Sequence, residues 1–474
     1  MIPARAAALL DLVAPLARRF DGSGHRLYLV GGVVRDLVVD RTDVERNDLD
    51  LTTDATPDQV KALVRPVASA LWTQGERFGT IGCTIDDETY EITTHRAEAY
   101  SPDSRKPEVV FSTDIEADLS RRDFTVNAMA LEVTGDEPTL IDPFGGLADL
   151  MDGVLRTPLS PEESFGDDPL RMLRAARFMA TFSLRPVPEL RAAVKEMAPR
   201  LEIVSAERIR DELCKLVVVP DPSEGLYFLN DSGLAEHFLP ELPAMRLEQD
   251  PIHRHKDVLS HTIAVVAKAP PQLLVRLAAL FHDVAKPKTR SIGPNGVSFH
   301  HHEVVGARMT RDRMRALKFS NEMVQDVSQL VYLHLRFHTY EMGWSDSAVR
   351  RFVRDAGPLL GELIALTRSD CTTRNKRKAE ALDRRIDDLE ARIATLAERE
   401  ELDAIRPDLD GREVMEHLGV PAGPIVGQAL SHLLELRLDR GPLARDDAFA
   451  ELDRWYAQRS DATGATSDED AASG

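Results

Sequence analysis

The sequence predicts a small α/β head with a mixed sheet and helices, followed by a long all-α body. Three observations predict it. Strand-like runs, short and apolar or alternating, fall almost entirely before Gly153. Helical periodicity then carries the chain to its end. The length of 474 residues is more than one compact core needs at roughly 100–200 residues per domain. An apolar content of 43% suffices to bury cores and argues against wholesale disorder.

Taken in order, Met1 to Phe20 has its apolar stretch broken by Asp11 and Pro15, which predicts an amphipathic helix rather than a signal peptide. Leu27-Tyr28-Leu29-Val30 is a short strand ending at Gly31-Gly32, and Leu49-Asp50-Leu51-Thr52 alternates with period two. Gly79 to Ile85 and Thr89 to Thr93 form a hairpin around Asp86-Asp87-Glu88, and Ala128 to Val133 is a further strand. In the body, Leu382, Ile386, Leu389, Ile393 and Leu396 make a four-three seam in the charged stretch Lys376 to Glu401. Two readings stand for that seam: one helix packed on the body, or a helical hairpin or short oligomer contact. From Asp461 to Gly474 the chain is Ala/Ser/Gly-rich and acidic, which predicts a disordered tail.

With 79 acidic and 59 basic residues the formal charge is −20, which disfavours indiscriminate nucleic-acid binding but leaves room for RNA on a local basic face. No apolar run approaches the roughly 18 residues of a membrane span, so no membrane partner is expected. Cys83, Cys214 and Cys371 are too far apart for a zinc knuckle and suggest no disulfide framework. The expected location is the cytoplasm.

The chemistry of the head starts at Gly31-Gly32-Val33-Val34-Arg35-Asp36, after a strand and at the opening of a helix. Two glycines there let backbone N–H groups approach an anion, and Arg35 one turn in would clamp phosphate oxygens. The alternative is a plain turn. Asp48 and Asp50, two apart on a strand, point the same way, and Glu91 would join them from a neighbouring strand. Three converging acids repel unless cations neutralise them, and oxygen ligands suit Mg²⁺ carrying a triphosphate. Two such ions would activate a hydroxyl and stabilise leaving pyrophosphate. The alternative is a solvated turn and an ordinary exposed strand residue.

These residues carry a resemblance. Leu29 to Asp36, then Asp48-Leu49-Asp50, then Arg121-Arg122-Asp123-Phe124-Thr125-Val126-Asn127-Ala128-Met129-Ala130 look like the head of class II tRNA nucleotidyltransferases, the CCA-adding enzymes and bacterial poly(A) polymerases. Asp142-Pro143-Phe144-Gly145-Gly146, Asp167 to Phe178 and Glu207-Arg208-Ile209 continue the pattern in order, so it spans roughly residues 25 to 240. The resemblance implies a head in which Asp48 and Asp50 hold catalytic magnesium and Glu91 assists. It places Gly31, Gly32, Arg35, Arg122, Asp123 and Asn127 at the incoming nucleotide. Asp168 and Arg171 would read its base, with Arg174 and Arg177 contacting the nucleotide as well.

Residue chemistry gives the Asp168 and Arg171 assignment its own logic. Aspartate offers acceptors and arginine donors, an order that suits the pairing edges of cytosine and adenine and mismatches guanine and uracil. The competing reading makes Asp168 a helix N-cap before Pro169, ion-paired to Arg171. Arg177, half way round the helix from Asp168, would instead brace the fold or meet the triphosphate from the side. Asp167 departs from the family, which usually has Glu.

Further on, His261, His282-Asp283 and Asp370 follow the order of the HD metal-dependent phosphohydrolases and suit a divalent transition metal. His302 and His334 are either ligands of a second ion or, the favoured reading, RNA-facing or merely exposed. The domains expected are a catalytic head at 1–153, a nucleotide- and RNA-binding helical neck at 154–240, an HD domain at 241–375, a tRNA-binding helical body at 376–460 and the tail at 461–474.

The expected activity is addition of C, C and A to tRNA 3′ ends from CTP and ATP, by a monomer or small homo-oligomer. Basic residues around Arg368, Arg374, Lys376, Arg377 and Lys378 would hold the tRNA backbone, or form a solvated face. Alternatives are a poly(A) polymerase of the same fold, a specialist adding only CC or only A, and an HD phosphohydrolase whose head merely binds RNA.

Overall fold

The computed structural model describes residues 4–38, 49–99, 108–247, 257–293, 296–337, 340, 344–373, 375–400 and 405–464. Asp48, Arg374 and residues 465–474 therefore lie outside the described set. The chain divides into two compact units, Met1–Ala244 and Met245–Gly474.

The first unit is built on a seven-stranded sheet. Its strands are β1 (Leu27–Val30), β2 (Leu49–Thr53), β3 (Ala70–Trp72), β4 (Thr80–Ile85) and β5 (Glu88–Thr94). A separate hairpin of β6 (Arg96–Ala99) and β7 (Glu108–Phe111) intervenes before β8 (Ala130–Glu132) and β9 (Thr139–Ile141) complete the sheet. The order is β3-β4-β5-β2-β1-β8-β9, antiparallel except for the central β2–β5 pair. The period-two rule then sorts the two faces. Leu27, Leu29, Leu51, Ile81, Cys83 and Ile92 are buried on one face, over which the Ala4–Asp21 and Pro57–Val64 helices pack. The opposite face carries Asp50, Thr52, Glu91, Thr93, Thr80, Gly82 and Trp72.

The β4–β5 hairpin turns on Asp86 and Asp87 alone, with φ of 49° and 66°, because a two-residue turn between twisted strands requires the left-handed region at both positions. The neck follows. The Pro161–Asp167 helix opens with a reciprocal cap between Ser160 and Glu163, and the Leu170–Phe182 helix packs on the helices Ala206–Val217 and Ser223–Asp231. Strand signals past Gly153 are scarce but not absent: Val154–Leu155 pairs in parallel with Arg185–Pro186.

In the second unit the helices Val258–Lys268, Leu273–Phe281, His302–Ala316, Asn321–Leu333 and Leu360–Asp370 pack into one core. The Lys376–Glu400 helix buries Ile386, Leu389 and Leu396 against the helices Asp346–Ala356 and Leu360–Asp370. Its seam is thus covered within the chain, which favours the packed-helix reading over an oligomer contact. The last helices, Gly411–Leu418, Pro424–Arg440 and Arg445–Gly464, share an apolar cluster of Val414, Leu433 and Leu452. The final helix runs to Gly464, so residues 461–464 continue it rather than begin a tail. Among the described residues no helix is long and apolar enough to cross a membrane.

Candidate active site and metal centre

On the sheet, β2 and β5 run in parallel register with Asp50 opposite Glu91, and both side chains are exposed. Neighbouring strands are about 4.8 Å apart, so the two carboxylates stand side by side on one face. Like charges directly opposite one another are destabilising unless a cation lies between them. Gly31, at φ 72°, ends β1 beside them: a Cβ there would lie 3.2 Å from Arg122 Nη1 and 3.9 Å from Asp50 Oδ2. Gly31, Arg122 and Asp50 therefore converge. Asp48 belongs to the same candidate set but lies outside the described residues.

Arg35 lies within a network of ion pairs and hydrogen bonds. It is buried, with its guanidinium forked onto Asp36 at 2.9 and 3.0 Å, and Nη1 donates to Asn127 Oδ1 at 2.7 Å. Phe182 lies beneath it, 4.1 Å from guanidinium carbon to ring centre. A guanidinium so engaged ties the Gly32–Val38 helix to Asn127. The chain of contacts continues. Asn127 Nδ2 and the Phe124 N–H both donate to Asp123 Oδ1, while Arg174 donates to Asp123 Oδ2 at 2.8 and 2.5 Å. Burial pushes the Asp123 carboxyl up, but Arg174, Asn127 and the amide outweigh it and leave the pKa below the usual carboxylate value. Arg174 also lies 3.8 Å from Glu212, whose other oxygen accepts from Arg177 at 2.7 Å. Arg177 thus joins the same network of ion pairs.

Above this network is a cleft of about 250 Å³ lined by Arg121, Arg122, Asp123, Asp168, Arg171, Arg174 and Arg208. Asp168 Oδ1 accepts the Leu170 N–H at 3.1 Å, a cap at the start of the Leu170–Phe182 helix. Its ionic partner is not Arg171 but Arg208, at 2.7 Å, because Arg171 reaches back to Ser164 and the Arg121 carbonyl. Asp118 is fully buried below the cleft, bound by Arg121 and Arg122. The sequence reading gave no role to Arg208, Arg121 or Asp118. Arg121 and Arg208 lie within the quoted motifs and Asp118 lies just before one, and burial of Asp118 is not legible from its polarity.

In the second unit four histidines and two aspartates meet. His261 Nε2 is 2.9 Å from Asp370, and His282 Nε2 is 3.2 Å from Asp283 and 3.5 Å from Asp370. His302 Nε2 is 3.4 Å from Asp283, and His334 Nε2 is 3.3 Å from His302 Nε2. His302 and His334 are buried, which corrects the expectation that they are exposed or RNA-facing. His261, His282 and Asp283 offer one set of convergent ligand atoms, and Asp283, His302 and His334 offer another.

The rings are held in a telling way. Nδ1 of His282, His302 and His334 lies 2.8, 2.7 and 2.6 Å from the backbone carbonyls of Ala279, Phe299 and Val331. A carbonyl only accepts, so each Nδ1 carries a proton and each Nε2 is turned inward, its lone pair open to a cation when Nε2 itself is unprotonated. The Nε2 pairs of His261 with His282 and of His302 with His334 then face each other at 3.4 and 3.3 Å. Cations between them resolve the repulsion, and orientation of the ligands by outer hydrogen bonds is how metal histidines are usually held. In the cluster's own electrostatics, burial disfavours a charged His282, yet Asp283 and Asp370 raise it to about 10; burial pushes His334 down to about 3. Lys286 Nζ lies 2.7 Å from Asp283.

Of the basic residues proposed to grip RNA, Arg368 is held by Asp387 and Glu390 at 2.7 and 2.5 Å, so it serves the packing of its helix on the Lys376–Glu400 helix. Lys376, Arg377 and Lys378 are exposed.

Comparison with known proteins bears on both centres. Residues 27–156 match the model of the poly A polymerase head domain, residues 184–245 that of the "Probable RNA and SrmB- binding site of polymerase A", and residues 258–403 the HD domain. An A-adding tRNA nucleotidyltransferase of Deinococcus radiodurans is 33% identical over 90% of this chain and 95% of its own length. The chain belongs to the family of CCA-adding tRNA nucleotidyltransferases and bacterial poly(A) polymerases. Within that family, the CCA-adding enzyme of Enterococcus faecalis is 31% identical over 67% of this chain and 69% of its own length. The CCA-adding enzyme of Bacillus subtilis is 38% identical over 52% and 57%. The fold of this nucleotidyltransferase is shared with the Bacillus stearothermophilus CCA-adding enzyme solved with CTP, at a TM-score of 0.70 and 23% identity over 95% of this chain and 98% of that one.

Proposed function

We propose that this chain adds C, C and A to the 3′ end of tRNA from CTP and ATP, the tRNA 3′-hydroxyl attacking the α-phosphorus and displacing pyrophosphate. The observation that carries the reading is the side-by-side register of Asp50 and Glu91, with Gly31 and Arg122 adjoining. Carboxylate oxygens alone make up that donor set, which fits Mg²⁺ held by Asp48 and Asp50 with Glu91 assisting. The ion would supply Lewis acidity and charge neutralisation there.

The chain's own residues do the rest. Arg122 and Arg174, on the cleft wall, counter the triphosphate charge, and Asp123 fixes Arg174 in place. Asp168 accepts from the amino group of cytosine or adenine while Arg171 donates to the neighbouring ring nitrogen, which penalises guanine and uracil. Asp168 uses one acceptor site on each oxygen, for the Leu170 N–H and for Arg208, and keeps others for the base.

The deciding experiment supplies labelled nucleotides to tRNA lacking its 3′ end and reads product length to one nucleotide. Three additions support the proposal, and a long adenosine tail would make the chain a poly(A) polymerase. Addition of a single A, only to tRNA already ending in CC, would make it an A-adding specialist. That second reading is favoured by one observation, the near full-length match to an A-adding relative.

The second unit is proposed to hold divalent transition metal at His261, His282, Asp283 and Asp370, with His302 and His334 joining through Asp283. An accessory phosphohydrolase activity there is proposed as well. The inward-facing Nε2 atoms support this reading. Replacing Asp50 by Ala should abolish nucleotide addition and spare any phosphatase activity, while His282→Ala should do the reverse.

A further inference from the structure

Beyond the carboxylates lies a feature that neither the cleft nor the metal centre uses. Along one row of the sheet, Asp50 on β2 is paired with Glu91 on β5, Glu91 with Gly82 on β4, and Gly82 with Trp72 on β3. Trp72 is half-buried, and its indole lies flat across Gly82. A Cβ on Gly82 would fall 2.0 Å from the indole Nε1 and 2.1 Å from Cε2, so only glycine admits the ring there. At about 4.8 Å per strand, the ring's seat is one strand from Glu91 and two from Asp50. It lines a second cleft, of about 840 Å³, with Gln74, Phe78, Thr80, Glu91, Arg96 and Arg208.

The order of groups across the sheet gives this cleft a direction. Gly31 and Arg122 flank Asp50 on the β1 side, next to the cleft proposed to take the nucleotide. Trp72 and Gly82 lie on the opposite side, past Glu91. In-line displacement puts the attacking hydroxyl and the leaving pyrophosphate on opposite sides of the phosphorus. The acceptor strand therefore belongs on the Trp72 side. An aromatic platform beside arginines is what a single-stranded RNA end requires, because every base offers a face to stack on.

We propose that Trp72, seated on Gly82, stacks on the base of the RNA's 3′-terminal nucleotide and positions its 3′-hydroxyl over Asp50 and Glu91. This rests on the nucleotidyltransferase reading above. Trp72 is a positioning residue: it holds the acceptor and leaves the incoming nucleotide to the other cleft.

The test compares Trp72→Ala, Trp72→Phe and Gly82→Ala in steady-state addition to tRNA ending in CC. Stacking of one base predicts a KM for tRNA raised about tenfold or more in Trp72→Ala, a KM for ATP within about threefold, and substantial recovery in Trp72→Phe. Gly82→Ala, which displaces the ring, should mimic Trp72→Ala. Independently, a chain with Trp344→Phe and Trp455→Phe should show quenching of the remaining Trp72 fluorescence by a tRNA minihelix ending in CC, without nucleotide present.

An unchanged KM for tRNA in both Trp72→Ala and Gly82→Ala would overturn the proposal, as would quenching by CTP or ATP but not by the minihelix. If the unaltered chain adds nucleotide to no RNA, it is the underlying nucleotidyltransferase reading that falls. That outcome is distinguishable from normal addition with an indifferent Trp72.

Discussion

Asp123 is mostly enclosed at the base of the cleft and satisfied by Arg174, Asn127 and a backbone amide, so removing Arg174 leaves its charge with two neutral donors and no counter-charge of comparable closeness. Removing one hydrogen-bonding partner of a largely buried group typically costs about 1–3 kcal/mol. Arg174→Ala is expected to lower stability by that order, measured from the urea midpoint. The pH dependence follows from the direction of the shifts. Asp123 and Asp118 both have native pKa values below the ordinary carboxylate value, Asp118 because Arg121 and Arg122 outweigh the burial that opposes its charge. Their stabilisation is complete above the unfolded pKa of about 4 and is lost as the pH falls through the lower native values. The melting temperature should therefore change little from these groups between about pH 7 and pH 5 and fall below about pH 4, and Asp123→Asn should shrink the acid-dependent part. For catalysis, Glu91→Gln keeps the shape and removes the charge. It is expected to reduce the rate of nucleotide addition by about 10²–10³-fold, the usual scale for one electrostatic stabiliser, without lowering the melting temperature.

Among the elements, the β4–β5 hairpin was legible because alternation and a polar turn are local signals. The turn's sequence is nonetheless poor for its geometry, since Asp86 and Asp87 both occupy the left-handed region. Asp86→Asn with Asp87→Gly should stabilise the chain by about 1 kcal/mol, read from the same urea midpoint. The strand Ala70–Trp72 and the hairpin of β6 with β7 were not legible, because three or four residues carry too little periodicity to stand out. The motif arginines teach the complementary lesson. Arg35 and Arg122 both follow family motifs, yet Arg35 turns inward onto Asp36 while Arg122 lines the cleft. Sequence spacing places a residue on an element, whereas the packing of Phe182 and Asn127 decides which way its side chain runs. Likewise His302 and His334 are ordinary helix-end residues in the sequence, and only packing of the Asn321–Leu333 helix on the His302–Ala316 helix brings them to Asp283.

At the scale of the molecule, the division into an α/β part and a helical part was readable from the change of hydrophobic period. The pairing of Val154–Leu155 with Arg185–Pro186, which ties the end of the head to the neck, was not. The histidine–aspartate cluster proposed to bind metal gives a further test. Mn²⁺ at about 100 times its dissociation constant should stabilise the native state by about 2.7 kcal/mol, seen as a raised melting temperature. In a chain carrying Asp50→Ala, which removes the carboxylate site of the head, His282→Ala should abolish that rise, and a chelator should reverse it where His282 is kept.

The relay from Asp36 through Arg35, Asn127, Asp123 and Arg174 to Glu212 and Arg177 runs from the Gly32–Val38 helix of the head deep into the neck. A gene fragment stopping at residue 153 would carry Asp123 into its interior without its guanidinium and leave Val154–Leu155 unmade. Such a fragment should accumulate as inclusion bodies, whereas one extended to Ala244 should be recovered as folded, monodisperse material. The smallest excisable catalytic piece of this chain is thus drawn by its ion pairs, not by where its sheet ends.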